Sequence, residues 1–327
     1  MAGALIPAGC GGGAKPGAET HTTAATGTPV VSLPAPAVDA EHATAAEFPR
    51  SAGRSLQQLA SAASPGPQLG LAVSVLLPGR QRLAFGLLAA SHEPLYAPTA
   101  VYIASRPNAP AQGPFPAPLD PMIPPARSLS QTVATDTAAV KAIYETTVPL
   151  PHPGRYDVLT VSKVGPTLVG ATASVNVAAS SPIPNIGQRP PPIHTPTVAL
   201  VHGDVAKIDT RAPPDDMQRT DFASVIGRRP VALLFATPAL CQSRTCGPVT
   251  DQAVELERQF GNQMTFIHNE VYVDNDPSKG YRPQLRAFHL KTEPWLFTFD
   301  RHGRIAARLE GAFGINAFRH AVESALK

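Results

Sequence analysis

Three scarcities narrow the chain before any motif is read. Its 327 residues carry three cysteines, one tryptophan and 16% charged side chains, with a net charge of +3. A charge this small, with no stripe of Lys and Arg interleaved with aromatics, sets nucleic acid aside as a partner. No apolar run reaches the roughly 20 residues that a spanning helix needs, so a transmembrane segment is not expected. No cysteine falls between residues 68 and 179, so whatever forms there lacks a covalent staple. What is abundant is proline, 37 residues of it, concentrated locally enough to mark boundaries. The length suits two ordinary domains, each with its own core.

The N-terminus reads Met1-Ala-Gly-Ala-Leu-Ile-Pro7-Ala-Gly-Cys10-Gly-Gly-Gly13. An apolar stretch ending in Ala-Gly-Cys resembles the lipobox of bacterial lipoproteins, in which the cysteine is acylated and becomes the new terminus. Pro7 stands where Leu is usual, and the apolar residues are too few for a full leader, which puts the natural start codon upstream of Met1. The resemblance implies lipidation at Cys10, an extracytoplasmic position and anchoring to the cell membrane; plain secretion is the alternative. From Gly11 to about Pro67 the chain is Ala, Thr, Pro, Gly and Ser with few large apolar residues, too little to offset its ordering entropy. Residues 1–67 therefore read as a signal remnant and a tether reaching on the order of 40 Å, with at most a short helix around Ala52 to Ala62.

Residues 68–179 change to short β-type runs at Leu69–Leu77, Arg82–Leu88, Ala100–Ala104, Val140–Val148, Tyr156–Val164 and Thr167–Val177, separated by turns such as Pro78-Gly79 and Pro153-Gly154. The stretch Pro153-Gly-Arg-Tyr156-Asp-Val-Leu-Thr-Val resembles the end of an immunoglobulin-like β-sandwich, with a tyrosine at the corner. Pro107 to Pro125, eight prolines in 19 residues, is expected as an extended loop on one edge. This domain reads as a spacer or docking module. Residues 180–196, six prolines in 17, read as a semi-rigid linker.

Residues 197–327 alternate. Val231–Phe235 is an apolar run behind Pro230, as in a buried parallel strand. Cys246–Phe260 has helical period, with Val249, Ala253, Leu256 and Phe260 on one face and Gly261 as a stop. Met264–Val273 is the next strand and Gln284–Leu290 a short helix. Trp295–Phe299 and Ile305–Leu309 form a hairpin around Asp300-Arg-His-Gly303, and Asn316–Leu326 closes as an amphipathic helix.

In this order the chain from about Gly227 to Leu326 resembles the thioredoxin superfamily. The predicted architecture is thus an all-β immunoglobulin-like sandwich followed by an α/β thioredoxin-like fold, and the chain as a whole resembles an actinobacterial type of envelope lipoprotein. The resemblance implies that Pro294 of Thr292-Glu293-Pro294 is a cis-proline facing the cysteines, with Glu293 and Trp295 lining a substrate groove.

The cysteines lie in Thr237-Pro238-Ala-Leu-Cys241-Gln-Ser-Arg244-Thr-Cys246-Gly247-Pro248-Val249. Thioredoxin's motif is Trp-Cys-Gly-Pro-Cys; here Val249 takes the second cysteine's place and the partner lies upstream at Cys241. The spacing also resembles that of the Q-type peroxiredoxins, Thr-Pro-x-Cys-x4-Cys, with one extra residue after Thr237-Pro238 and without the arginine that family carries at the hairpin entrance. Cys241 and Cys246 are the candidate catalytic residues, with Thr237, Pro238, Arg244, Gly247 and Pro248 completing the groove. A helix start and a nearby arginine lower a thiol pKa, so Cys246 is expected to be the more acidic thiol and Cys241 the more exposed; either could attack. If Glu293 faces the thiols, its charge raises their pKa.

The favoured function is thiol-disulfide exchange with protein thiols or disulfides, coupled to an upstream electron donor or acceptor. A thiol peroxidase and a non-catalytic binding lipoprotein with a structural disulfide are the alternatives. No cofactor or metal is called for. Asp274-Asn-Asp276-Pro-Ser278-Lys-Gly280 reads as a capped turn and not a calcium loop, because its glycine falls one place late and Leu285 stands where a bidentate glutamate is needed. His268, His289, His302 and His320 are scattered, and the cysteine spacing is one residue too long for a copper site of the Sco type.

Overall fold

The computed structural model describes residues 35–327. Cys10 and the first half of the expected tether lie outside the described residues. Residues 35–67 pack against the rest of the protein, contrary to the tether reading. Helix α1 (Ala35–Ala40) buries Ala37 and Ala40, and helix α2 (Leu56–Ser61) starts on Ser55, whose hydroxyl accepts the Gln58 N–H while Gln58 caps it in return. Phe48, Leu56 and Leu59 cover Ala100, Tyr102, Leu159 and Val161. Three well-placed apolar side chains hold a segment whose composition alone suggests a coil.

Next come strands β1 (Ser64–Pro65), β2 (Gln68–Leu71), β3 (Gly79–Leu88), β4 (Thr99–Ala104), β5 (Gln112–Pro116) and β6 (Leu119–Pro121), then helix α3 (Gln131–Thr135) and strands β7 (Ala142–Leu150), β8 (Gly154–Val164) and β9 (Thr167–Val177). They make two sheets, ordered β1-β9-β8-β4-β5 and β2-β3-β7-β6. Between the sheets lie Leu83, Phe85, Val101, Ile103, Tyr144 and Val158. Tyr156 is buried and its hydroxyl accepts the His152 N–H at 3.2 Å. The proline-rich insert is not a single loop. It supplies β5 to the edge of one sheet and β6 to the edge of the other, the positions where a strand tolerates missing N–H donors.

The second unit holds α4 (Phe222–Val225), β10 (Val231–Phe235), α5 (Cys246–Phe260), β11 (Thr265–Asn269), α6 (Pro283–Ala287), β12 (Trp295–Phe299), β13 (Ile305–Glu310) and α7 (Ile315–Leu326). The sheet order is β11-β10-β12-β13, with β10 parallel to β11 and antiparallel to β12. This is the connectivity that the thioredoxin resemblance implies, and the Glu293-Pro294 bond is cis. β10 and β12 are buried along their whole length, as central strands covered on both faces must be.

The proline-rich stretch 180–196 does not hold the units apart. Ile183 and Ile193 enter the core beside Phe222, Val231 and Phe299, while the Gly187 N–H donates to Ile305 O and the Ile305 N–H to Gln188 O. The two units share one core, in which Ala84, Met122 and Ile143 of the sandwich meet Val249, Phe313 and Phe318. Asp120 accepts the Asn316 and Ala317 N–H groups at 3.0 and 2.8 Å, capping α7 from the other unit. Gly311, at φ 68°, lies so close to Ala72 O that a β-carbon there would clash with the backbone.

The outer face of α5 shows the same union. An amphipathic surface helix would expose Asp251, Gln252 and Glu255, yet all are buried. Residues 126–135 lie across them. Arg127 Nε and Ser128 Oγ donate to Glu255 at 3.0 and 2.7 Å, and Ser130 donates through both N–H and hydroxyl to Asp251. Arg211 Nε donates to Asp251 at 2.8 Å and Gln252 Nε2 to Met122 O at 2.9 Å.

Candidate active site around Cys241 and Cys246

Strand β10 ends at Phe235, and the loop after it carries Cys241 back to the start of α5, where Cys246 is the first helical residue. Pro248 in the first turn breaks no intrahelical bond, since the first N–H groups of a helix have no partner within it. The two cysteines come within 2.8 Å of each other and neither is in a disulfide. A small side-chain rotation brings such a pair to the S–S bond length of about 2.0 Å. Cys246 is fully buried beneath the loop, while Cys241 keeps part of its surface exposed.

The acidity is the reverse of the sequence expectation. The Cys241 thiol is pulled down to about 5, first by the hydrogen bond from the Cys246 side chain, then by the Ser243 hydroxyl at 3.2 Å and the Cys246 and Thr245 N–H groups, against the opposing effect of burial. Burial pushes Cys246 well above the ordinary range, and the neighbouring Cys241 and Glu293 charges push the same way. The helix start does acidify a cysteine. Its N–H groups serve the sulfur in the preceding loop, while the first residue of the helix sends its own side chain into the core.

Arg244 takes no part. Its Nη1 lies 3.1 Å from Asp136 Oδ1 at the end of α3. Glu293 does face the thiols: burial, then the Cys241 charge, raise its carboxyl, and Tyr272 donates to it at 3.3 Å. Pro238 is half-buried in the cysteine loop, but Thr237, Gly247, Pro248 and Pro294 are buried. Gly247 has no room for a β-carbon beside Val133. Trp295 is 1% exposed and stacked on Phe297, so it belongs to the core and is closed to a substrate groove.

Beside the cysteine loop is a cleft of about 290 Å³, which Ser243 and Thr245 line but neither cysteine does. Ser243, Thr245, Thr292 and Glu293 line one side, and Leu71, Ala72, Val73 and Ser74 of the sandwich line the other. Glu310 ties the walls together, accepting the Ser74 and Val75 N–H groups at 3.1 and 2.9 Å and the Thr292 hydroxyl at 3.1 Å. Sequence reasoning missed Glu310 and the sandwich wall, whose partners are more than 200 residues apart. Ser243 and Thr245 could have been found, as hydroxyls flanking a cysteine.

His268, expected to be scattered from any partner, is buried with Asp209 and Asp215. Its Nδ1 lies 2.9 Å from Asp215 Oδ2 and its Nε2 3.1 Å from Ala236 O. Gln218 Nε2 also lies 3.1 Å from Nδ1, and the side chains of His268, Asp209 and Asp215 bring one polar atom each within 4.8 Å of one another. Burial opposes the charge, but the Asp215 carboxylate, its hydrogen bond and Asp209 outweigh it and hold the imidazolium up to about 10. The Asp274–Gly280 segment is a capped turn, in which Asp276 accepts the Ser278 N–H.

The acidity order gives a direct expectation. Alkylation of Cys241 by iodoacetamide reaches its plateau about one unit above its pKa of about 5 and falls tenfold per unit below it, because only the thiolate reacts. Cys246 stays unlabelled in the folded protein. Labelling rates against pH, read by peptide mass spectrometry, check both points, and equal labelling of the two would contradict the assignment.

No family model and no curated protein matches the chain. Among solved structures, it is similar to two proteins of Chlorobium tepidum. One, described as a thiol:disulfide interchange protein DsbE, is 13% identical, with 44% of this chain and 99% of that one covered and a TM-score of 0.32. The other, described as a thiol:disulfide interchange protein of the thioredoxin family, is 17% identical over 44% of this chain and 99% of its own, with a TM-score of 0.31.

Proposed function

We propose that this chain is a thiol-disulfide oxidoreductase of the cell envelope that works through Cys241 and Cys246, with a thioredoxin-like unit joined to an immunoglobulin-like sandwich and a lipid anchor at Cys10. One observation carries the reading: two free cysteines in near contact, the outer one acidic and accessible, the inner one neutral and buried. Cys241 thiolate attacks a partner's disulfide; the partner's S–S bond breaks, one partner sulfur leaves as thiolate, and a mixed disulfide remains. Cys246 then loses its proton to solvent and attacks Cys241 Sγ. The second partner sulfur leaves, the partner has gained two electrons, and the pair has become a disulfide. The reverse sequence oxidises partner thiols.

The peroxidase alternative is the weaker one, since it needs an arginine at the hairpin entrance converging on the thiolate, and Thr292-Glu293-Pro294 stands in that place. Equilibration with glutathione buffers tests the proposal. The peptide containing residues 241–246 should interconvert reversibly between forms differing by two hydrogens. A pair that stays wholly reduced or wholly oxidised across all buffers is a structural feature, and the non-catalytic alternative then stands.

A further inference from the structure

The two hydroxyls beside the attacking sulfur stand in an order that the exchange mechanism above does not use. Ser243 Oγ lies 3.2 Å from Cys241 Sγ and 2.8 Å from Thr245 Oγ1, while Thr245 Oγ1 is 4.0 Å from the same sulfur. Each hydroxyl has one proton to give, and a thiolate can only accept. The shorter of the two sulfur contacts assigns the Ser243 proton to Cys241, which leaves the Ser243 oxygen to accept from Thr245. The result is a relay from Thr245 through Ser243 to the sulfur, in which the first hydrogen bond polarises and strengthens the second.

Thr245 stands immediately before α5, in the N-cap place, where a threonine oxygen ordinarily accepts an N–H from the first turn of the helix. Its backbone is already helical there, at φ −97° and ψ −24°, and the side chain makes no capping bond. The hydroxyl is turned to Ser243 instead, and the stiffness of a β-branched side chain that is 7% exposed keeps it there. Ser243 is exposed and lines the cleft, and among the described residues its hydroxyl has no partner beyond the sulfur and Thr245. Unheld, it turns to water. Of the titratable groups around this sulfur, Cys246 belongs to α5, Tyr272 to the segment after β11 and Glu293 to the segment before β12, while Arg244 of the cysteine loop is paired with Asp136. Hydroxyl, thiol and N–H donors therefore do at Cys241 what a cation does at other reactive cysteines. Resting on the exchange reading above, we propose that Thr245 is a positioning residue for the first attack: its hydroxyl fixes that of Ser243 on the Cys241 sulfur and so holds the nucleophile ionised from the cleft side.

Iodoacetamide labelling against pH reads the Cys241 thiolate with no partner and no turnover. Thr245→Val keeps the shape of the side chain and removes the hydroxyl. The midpoint of the labelling profile should rise by about half a unit, which is about a threefold smaller thiolate fraction at any pH below it. Ser243→Ala should raise the midpoint by about one unit, about a tenfold loss on the same scale. The double variant should match Ser243→Ala alone, because Thr245 acts only through Ser243, and Thr245→Ser should restore the wild-type midpoint. A midpoint unmoved in Thr245→Val overturns the proposal, even where the plateau rate changes, since a plateau that changes alone marks a merely structural role. Additive shifts in the double variant overturn it too, because Thr245 then reaches the sulfur directly. Should Thr245→Val fail to fold, Thr245→Ala carries the same prediction. The exchange reading fails separately: midpoints that move as stated, in a protein whose 241–246 peptide never changes oxidation state across the glutathione buffers, keep the relay and defeat the exchange.

Discussion

Serine in place of Cys241 is expected to lower disulfide exchange by at least about a thousandfold, to the background of uncatalysed thiol chemistry, because a hydroxyl supplies no nucleophile at neutral pH. Serine in place of Cys246 should leave the first attack intact and stop the second. On the proposed function, the Cys246→Ser protein accumulates a covalent complex with a partner, visible as a reducible high-mass band from an envelope extract, whereas Cys241→Ser accumulates none. The reverse pattern would reassign the attacking thiol. The low pKa of Cys241 has a second effect that a rate assay does not show. Ionisation at about 5 makes nearly all of the thiol reactive at pH 7, but a weaker base is also a weaker nucleophile, and the two effects nearly cancel. What survives is a stabilised reduced state. On the exchange reading, that poises the pair toward accepting electrons, and a redox titration of the Ser243→Ala variant should move to a more reducing potential as the thiolate loses a donor.

The largest expected loss of stability is at Asp251→Ala. The carboxylate is wholly buried and accepts from Arg211 Nε and from both donors of Ser130. Removing one partner of a buried ion pair leaves the other charge uncompensated, at a cost of about 3–5 kcal/mol. Because α5 and residues 126–135 share this network, and the sandwich shares a core with α5 and α7, the loss should fall on both units together. Denaturant unfolding followed by far-UV dichroism and by hydrogen exchange in β8 and β10 should give one transition, shifted to lower denaturant as a whole. Two separated transitions in the wild type would contradict the shared core.

Much of this architecture was legible because its signals are local. Val231–Phe235, Cys246–Phe260 and Trp295–Phe299 have the expected bounds, each being a run of one period closed by Pro or Gly. β8 and β9 were readable from alternation and the turns beside them. What escaped depends on partners distant in sequence. Nothing near Asp251 announces that Ser130 will cover it, and nothing near His268 announces Asp215. The proline count of residues 180–196 suggested a spacer, but Ile183 and Ile193 between the prolines determine where the segment lies. The acidity of the cysteines failed for a geometric reason: a helix start favours the sulfur in front of it, and here that sulfur belongs to the other residue.

The lone tryptophan has a practical use. Trp295 follows Pro294 directly, is sealed from water, and donates its indole N–H to Thr292 Oγ1 at 3.0 Å. Its fluorescence therefore comes from one fixed, dry position in the core on the other face of the sheet from Cys246. Unfolding brings that single emitter into water and shifts its emission, so the protein carries an optical gauge of its own folded state and needs no label.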